Sequence, residues 1–430
     1  MKSHNIFLLL AVLLGLWCLS GCGVLEVGIE STPTRLPLPT PVPTNTVPPP
    51  TSTPTPFPGM LKPGQTLKII KIRMLNATDG WAIGDVETDL NDHILFTQDG
   101  GQTWQERTPT GALLNFPPEG LAATAYFGAN GTAWVAYVSQ RAQQSKPTAQ
   151  QVWRTSDNGL TWQAGSLDLS NLQADFFVPS DLGFLDDQHG WLLAHLGVGM
   201  SHDYIAIFTS PDGGQTWQRV VDPEKTPELM GCVKTGLAFS TPTNGWLTGN
   251  CPGLLPNLFF YNSLDGGKTW QQIYIQPPAN QPTEFFSNGM ASCGIPSLIY
   301  ASARTILVNA RCTFTDTNKT VSWSYAGKDN RPPEARYVPT PYASFYFINA
   351  EEGWMVGYWR NDPTAGGEIY HSIDGGQSWK LVISTAWQGT PDFVDTNTGW
   401  VVARIADKSA LVFTVDGGKS WRELTPVVAR

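Results

Sequence analysis

Thr97-Gln98-Asp99-Gly100-Gly101-Gln102-Thr103-Trp104 returns in close copies at 155–162, 210–217, 263–270, 372–379 and 414–421. The shared frame is Ser/Thr-x-Asp-x-Gly-x-Thr/Ser-Trp, and a repeat of this kind has to be read before any single residue is. Its physical content is a strand, a tight turn and a return strand. Asp99 is placed to accept backbone N–H bonds inside the turn, and Gly101 permits positive φ without a Cβ clash. Trp104 then supplies a large apolar body suited to the seam between neighbouring repeats. Asp99, Asp157, Asp212, Asp265, Asp374 and Asp416 could be read as metal-binding or catalytic carboxylates, but one such turn per repeat, at a constant place relative to its strands, is a fold device.

A looser element precedes each turn: an apolar strand, a polar turn, then Gly-Trp and a second apolar strand. It occurs at Gly80-Trp81, Gly190-Trp191, Gly245-Trp246, Gly353-Trp354 and Gly399-Trp400, with the variant Gly131-Thr132-Ala133-Trp134. The unit therefore has four strands, A and B around the Gly-Trp turn, C and D around the Asp turn. The Asp positions step by 58, 55, 53, 109 and 42 residues. The gap of 109 is two units long, so a unit without the motif is expected within 290–340.

The cysteines locate it. Cys232 and Cys251 are 19 residues apart, as are Cys293 and Cys312. Cys232 stands just before strand A of the fourth unit and Cys251 just after its strand B, places that face each other in an antiparallel hairpin, within reach of a disulfide. The same register applied to Cys293 and Cys312 puts strand A of the fifth unit at 297–300, strand B at 306–309 and strand C at 320–325, with Leu307 in the place of Trp246. The degenerate Asp turn then falls at Lys328-Asp329-Asn330. Four thiols also admit a zinc site, but there is no Cys-x-x-Cys pair to support one.

Seven four-stranded units of about 50 residues predict an all-β fold, a seven-bladed β-propeller with Asp-box turns, in which closure removes the free sheet edges. Six or eight blades remain compatible with the spacing, because 64–70 and 421–428 are both available to pair across the ring closure. The propeller is assigned to 63–430. Residues 1–21 read as an export signal, Lys2 ahead of the apolar run 6–19, ending in Leu19-Ser20-Gly21-Cys22. This ending resembles the bacterial lipoprotein processing box, which implies lipidation of Cys22. A transmembrane helix is the rival reading, but the apolar run is shorter than the roughly 20 residues a span needs. Residues 22–62 then form a stalk: 21 of the 28 residues in 31–58 are Pro, Thr or Ser, a composition that gives an extended spacer with no core.

With 27 Lys+Arg against 36 Asp+Glu, the net charge of −9 argues against a nucleic-acid partner, which would need a basic face. The six histidines, among them His195 and His202 in one expected loop, show no metal-ligand spacing. The glycine-rich strings are all Asp turns and none is a phosphate loop. No cofactor or metal is expected, and a closed ring is expected to be monomeric.

The Asp turns resemble the Asp-box, or BNR, repeats of sialidase-like propellers. Their combination with Gly-Trp ahead of strand B is most similar to the photosystem II stability and assembly factor type of propeller, over about 65–430. That resemblance implies a membrane-anchored, extracytoplasmic, non-catalytic binding or assembly propeller engaging a protein or glycan through the face opposite the Asp turns. The loops expected there present Arg141, Tyr204, Leu254, Trp359, Arg360 and Arg404. The alternative is a sialidase-like glycoside hydrolase. That chemistry uses three arginines, a Tyr-Glu nucleophile and an acid, for which the same face offers Arg141, Arg360 and Arg404 with Asp85, Asp203, Asp362 and Asp407. No Arg-Ile-Pro segment opens the first blade, where Lys71-Ile72-Arg73-Met74 stands instead. A mainly structural envelope protein, with neither cleft nor patch, is the third reading.

Overall fold

The computed structural model describes residues 60–89, 91–113, 120–139, 150–200, 202–251, 258–302, 305–328, 334–360, 362 and 364–430. The expected processing box with Cys22, the stalk up to residue 59, Arg141, Leu254 and the Asp329 turn lie outside these residues. Pro56–Arg430 forms one compact unit.

Seven antiparallel sheets follow one another along the chain, each built from four consecutive strands in simple A-B-C-D order. Blade 1 consists of Lys68–Met74, Gly80–Asp85, His93–Thr97 and Thr103–Glu106. Blade 2 consists of Leu121–Phe127, Ala133–Ser139, Gln151–Thr155 and Gln163–Ser166. Blade 3 has Val178–Phe184, Gly190–Gly199, His202–Ser210 and Gln218–Val221, and blade 4 has Val233–Phe239, Gly245–Asn250, Phe259–Ser263 and Gln271–Gln272. Blade 5 is Ala291–Ala301, Thr305–Phe314, Thr320–Lys328 and Glu334–Val338. Blade 6 is Tyr342–Phe347, Gly353–Tyr358, Gly367–Ser372 and Lys380–Thr385, and blade 7 is Gln388–Phe393, Gly399–Ile405, Lys408–Thr414 and Arg422–Leu424. The blade count is therefore seven, and the fifth blade stands where the cysteine register put it, with its first two strands longer than expected.

The ring closes on the outer edge of blade 1. Val427–Val428 adds parallel to Thr103 and Trp104 as a fifth strand, and its other edge takes Gly64 N–H onto Val428 O and Val428 N–H onto Gln65 O, both 2.9 Å. The two segments available for closure thus meet.

Each of the six Asp turns is the same device. In blade 1 the Asp99 Oδ1 accepts from Thr97 Oγ1 (2.9 Å) and Thr103 N (2.9 Å), Oδ2 accepts from Thr103 Oγ1 (2.7 Å), and Thr97 Oγ1 in turn accepts from Gly101 N (3.0 Å). Gly101 sits at φ +91°, where a side chain would be strained. The turn is also tied to the A–B turn of its own blade: Gly100 N–H donates to Thr78 O, and Gly213, Gly266, Gly375 and Gly417 repeat that bond to Gln188, Thr243, Glu351 and Asn397. In blade 2 Asn158 does so to Gly131. The A–B and C–D turns therefore share one face of the ring, and the B–C loops and interblade connections share the other.

Blades are joined by an aromatic seam. The Gly-Trp indole of one blade stacks on the phenylalanine that ends strand A of the next: Trp81 on Phe127 (5.5 Å), Trp134 on Phe184 (3.8 Å) and Trp354 on Phe393 (4.0 Å). The Asp-turn indole of that next blade meets the same phenylalanine edge-on, as Trp217 does Phe184 and Trp421 does Phe393. Both tryptophan series fill the seam, one by face and one by edge.

Both cysteine pairs are bonded, Cys232 to Cys251 and Cys293 to Cys312, with Cα separations of 4.8 and 4.1 Å. They staple the A–B hairpins of blades 4 and 5 at the end away from the Asp turns. Among the described residues no helix is long and apolar enough to cross a membrane.

Candidate functional site

The face opposite the Asp turns gathers its chemistry at the B–C ends of blades 5, 6 and 7. Tyr342 opens strand A of blade 6 and Tyr358 closes its strand B, so the two are cross-strand partners. Their rings stack at 5.6 Å and 8°. From blade 5, the Arg311 guanidinium lies over the Tyr342 ring at 4.9 Å, a cation–π contact. From blade 7, Arg404 approaches Tyr358. Burial pushes the Tyr358 hydroxyl up, and the positive charges of Arg311 and Arg404 pull it partly back. Neither arginine has a carboxylate partner among the described residues.

The sequence places Trp359 and Arg360 beside this patch, and a buried glutamine fixes them there. Gln388 pairs with Arg404 in strand register, and its amide donates to the carbonyls of Asp362 (2.7 Å) and Ala365 (3.1 Å) in the blade 6 B–C loop. The loop carrying Arg360 is thereby held against the strand carrying Arg404. Trp359 is 60% exposed, and its Nε1 reaches Glu368 Oε2 at 3.3 Å. A pocket of about 270 Å³ adjoins Arg404 between blades 7 and 1, lined by Lys68, Asp407 and Lys408 among others. The cationic groups thus run from blade 5 round to blade 1.

Of the expected face residues, Trp359, Arg360 and Arg404 come together here. Tyr204 stands apart, on the long B–C hairpin of blade 3, where it stacks with His202 at 5.9 Å. Arg311, Tyr342 and Tyr358 were missed by sequence reasoning. Their signal was available only through register: Tyr358 lies four residues past the Trp354 that fixes strand B.

The groups suggested for hydrolysis are dispersed. Asp203 is buried against His195 Nδ1 (2.7 Å) and the Lys234 N–H (2.9 Å), which makes it a link between blades 3 and 4. Asp362 caps Thr364 within its own loop. Asp407 lines the small pocket, and Asp85 sits at the blade 1 end of strand B, its carboxyl pushed up by burial. Among the described residues one Tyr–Glu pair is hydrogen-bonded, Tyr370 donating to Glu368 at 2.6 Å. Burial and the adjacent carboxylate push the Tyr370 hydroxyl up, the opposite of what a nucleophile requires. Among the described residues, no group of three His, Cys, Asp or Glu side chains is arranged to hold a metal. The long interblade span 276–290 packs down through Phe285, which is fully buried against Phe314 and Trp323.

A second concavity occupies the ring centre. A cavity of about 1160 Å³ is lined by strand A residues of blades 1, 2, 6 and 7 and reaches the A–B turns at Asn76 and Asn130. It therefore opens on the Asp-turn face, opposite the face expected to bind a partner.

No protein-family model matches the chain. The photosystem II assembly protein Ycf48 of Synechococcus sp. (strain JA-2-3B'a(2-13)) is 25% identical over 305 residues, covering 70% of this chain and 71% of the relative. Among solved structures, YCF48 bound to D1 peptide is 16% identical with a TM-score of 0.46, over 83% of this chain and 94% of that one. The GH74 xyloglucanase of Xanthomonas campestris superposes with a TM-score of 0.50 at 12% identity, over 85% of this chain and about half (54%) of the enzyme, a likeness of fold alone. The chain is a seven-bladed β-propeller, similar to the photosystem II assembly protein Ycf48 over about 70% of its length.

Proposed function

We propose that this propeller is a non-catalytic assembly or scaffold factor that works outside the cytoplasm and binds an acidic segment of a protein partner on its B–C face. The observation that carries the reading is the blade 5–7 patch. Arg311 and Arg404, without carboxylate partners among the described residues, flank a stacked tyrosine pair on a chain whose net charge is −9. Local positive charge on the patch selects for anionic partners. Arginine and tyrosine are also the side chains that anchor protein interfaces. The relative's role as an assembly protein agrees with a protein partner.

The setting follows from two further features. Disulfides persist in oxidising compartments, and this chain carries two. The Leu19-Ser20-Gly21-Cys22 segment supplies a lipid anchor at Cys22, and the Pro/Thr-rich stretch behind it a stalk that lifts the ring off the membrane. Cys22→Ser is expected to release the protein from membranes; attachment unchanged by the substitution would refute the anchor.

For the partner, a photocrosslinking residue placed at Trp359 is compared in native membranes with one at Gln377 on the Asp-turn face. The expected result is one partner captured from position 359 only, and lost when Arg311→Glu and Arg404→Glu are combined. Equal capture from both positions, or capture indifferent to the two charge reversals, would refute the assignment of the face.

A further inference from the structure

The central cavity carries an inference independent of the protein-binding face. Strand A of blade 1 places two cations on its wall, and they diverge. Lys71 Nζ donates to the Ala125 carbonyl of blade 2 at 2.9 Å, and Arg73 donates to Asp392 of blade 7 at 3.1 Å. Asp392 is already committed, since its other oxygen accepts Met74 N–H at 2.6 Å. Lys71 therefore keeps two of its three donors, and Arg73 most of its five.

Two tyrosines close on the same space. The Arg73 guanidinium sits 5.4 Å from the Tyr346 ring centroid, and Tyr126 is near enough for the Arg73 charge to act on its hydroxyl, against the stronger effect of burial. Neither hydroxyl has a protein partner among the described residues. Lys71 is exposed to the cavity yet enclosed by the surrounding blades, and this enclosure pulls its amine below the ordinary lysine range against the attraction of Asp181. At the mouth, the side-chain amides of Asn130 and Asn158 also line the wall.

The cavity thus offers lysine and arginine donors beside two carboxylates that are already engaged, Asp79 by the Asn76 amide and Asp392 by Arg73 and Met74 N–H, with aromatic faces beside them and amides at the entrance. A carboxylate satisfies lysine and arginine donors with charge-assisted bonds. A hydroxylated ring satisfies tyrosines and amides, and the volume of about 1160 Å³ accommodates more than a single ring. We propose that the central cavity, entered from the Asp-turn face, binds an acidic saccharide, its carboxylate between Lys71 and Arg73 and its ring against Tyr346.

The test is calorimetric titration of the full chain with D-glucuronate, D-glucose and acetate, with ligand-observed NMR as a second readout. Glucuronate is expected to bind at least about tenfold more tightly than either partial analogue, the worth of one charge-assisted bond. Lys71→Met, which keeps the apolar stem, is expected to remove about the same factor for glucuronate and leave glucose unchanged. Should that variant fold poorly, Asn130→Asp adds a repelling charge at the exposed mouth. Its positive φ of 54° is one that aspartate tolerates, and it is expected to weaken glucuronate selectively. Absence of glucuronate binding, equal binding of glucose, or affinity untouched by the folded variants would each overturn the proposal. None of these results bears on crosslinking at Trp359, so the two readings fail separately.

Discussion

Asp416 stands half-buried at the surface yet makes bonds as a fully buried group would. Its Oδ2 accepts the Ser420 hydroxyl at 2.5 Å and its Oδ1 accepts Ser420 N–H at 3.0 Å and the Thr414 hydroxyl at 2.8 Å. The Ser420 hydroxyl first, then its N–H and Thr414, hold the carboxyl down at about 2. A carboxyl whose pKa is lowered by folding stabilises the fold in full above its unfolded value near about 4 and loses that contribution as the pH falls towards the folded value. The other five Asp-turn carboxyls are lowered by the same kinds of bond against the opposing effect of burial. The midpoint of thermal unfolding is therefore expected to fall between about pH 4 and pH 2, and Asp416→Asn to flatten part of that slope. A slope identical in the variant would mean that this carboxylate contributes nothing through its charge. These turns were readable from residues because every partner of Asp99 lies within four positions of it. Arg311, Tyr342 and Tyr358 follow no motif: the two tyrosines meet through the register of one blade 6 hairpin, and Arg311 reaches them from the neighbouring blade 5.

Blade 5 shows what an element requires when a motif is missing. Its place was legible because Cys293 and Cys312 repeat the spacing of Cys232 and Cys251, and the pairing of Cys293 directly opposite Cys312 follows from hairpin register. Its size was not legible. Strands Ala291–Ala301 and Thr305–Phe314 extend well past the four-residue segments expected, because the disulfide end of the hairpin carries on to Ala291 and Phe314, where Thr315 donates to Met290 and Gly289. Phe285 from the preceding connection then covers that end. The hairpin's cross-link spans 19 residues of sequence, a loop whose closure is worth about 3 kcal/mol in the unfolded chain. Replacing both cysteines with serine is expected to lower stability by about 2–3 kcal/mol in denaturant titration, with faster hydrogen exchange concentrated in 291–314. Exchange accelerated evenly round the ring would instead show that blade 5 does not open on its own. The same stapled hairpin presents Arg311, the residue next to Cys312, so rigidity there also steadies one side of the proposed partner patch.

At the scale of the molecule, closure decides whether seven sheets behave as one body. A ring has no free edge only if its last segment is captured, and here that segment is two residues, Val427–Val428. They are held on both sides: Val427 N–H on Gln102 O and Ala429 N–H on Trp104 O from blade 1, Val428 N–H on Gln65 O and Gly64 N–H on Val428 O from the incoming chain. Val428 is buried with Leu67, Ile69, Trp104 and Leu424, so the clasp joins blade 7 to blade 1 by packing as well as by backbone bonds. The Trp400 indole reinforces the joint by donating to Gly100 O at 3.0 Å. Removing 427–430 deletes these four backbone bonds and the remaining ladder bonding of the parallel pair to Thr103 and Trp104, about 1 kcal/mol each, and uncovers the outer edge of blade 1. It is expected to cost about 4–5 kcal/mol, less whatever blade 1 recovers by bonding water. Because the interblade seams around the rest of the ring stay intact, the loss should appear mainly as faster unfolding beginning at blades 1 and 7. Stopped-flow unfolding of the truncated chain, with hydrogen exchange to locate the first blade to open, measures this directly. The double substitution Val427→Ala, Val428→Ala separates packing from backbone pairing, since it removes the buried side chains and keeps the bonds. If the truncated protein unfolds at the parent rate, the aromatic seams alone hold the ring, and the clasp serves only to shield an edge.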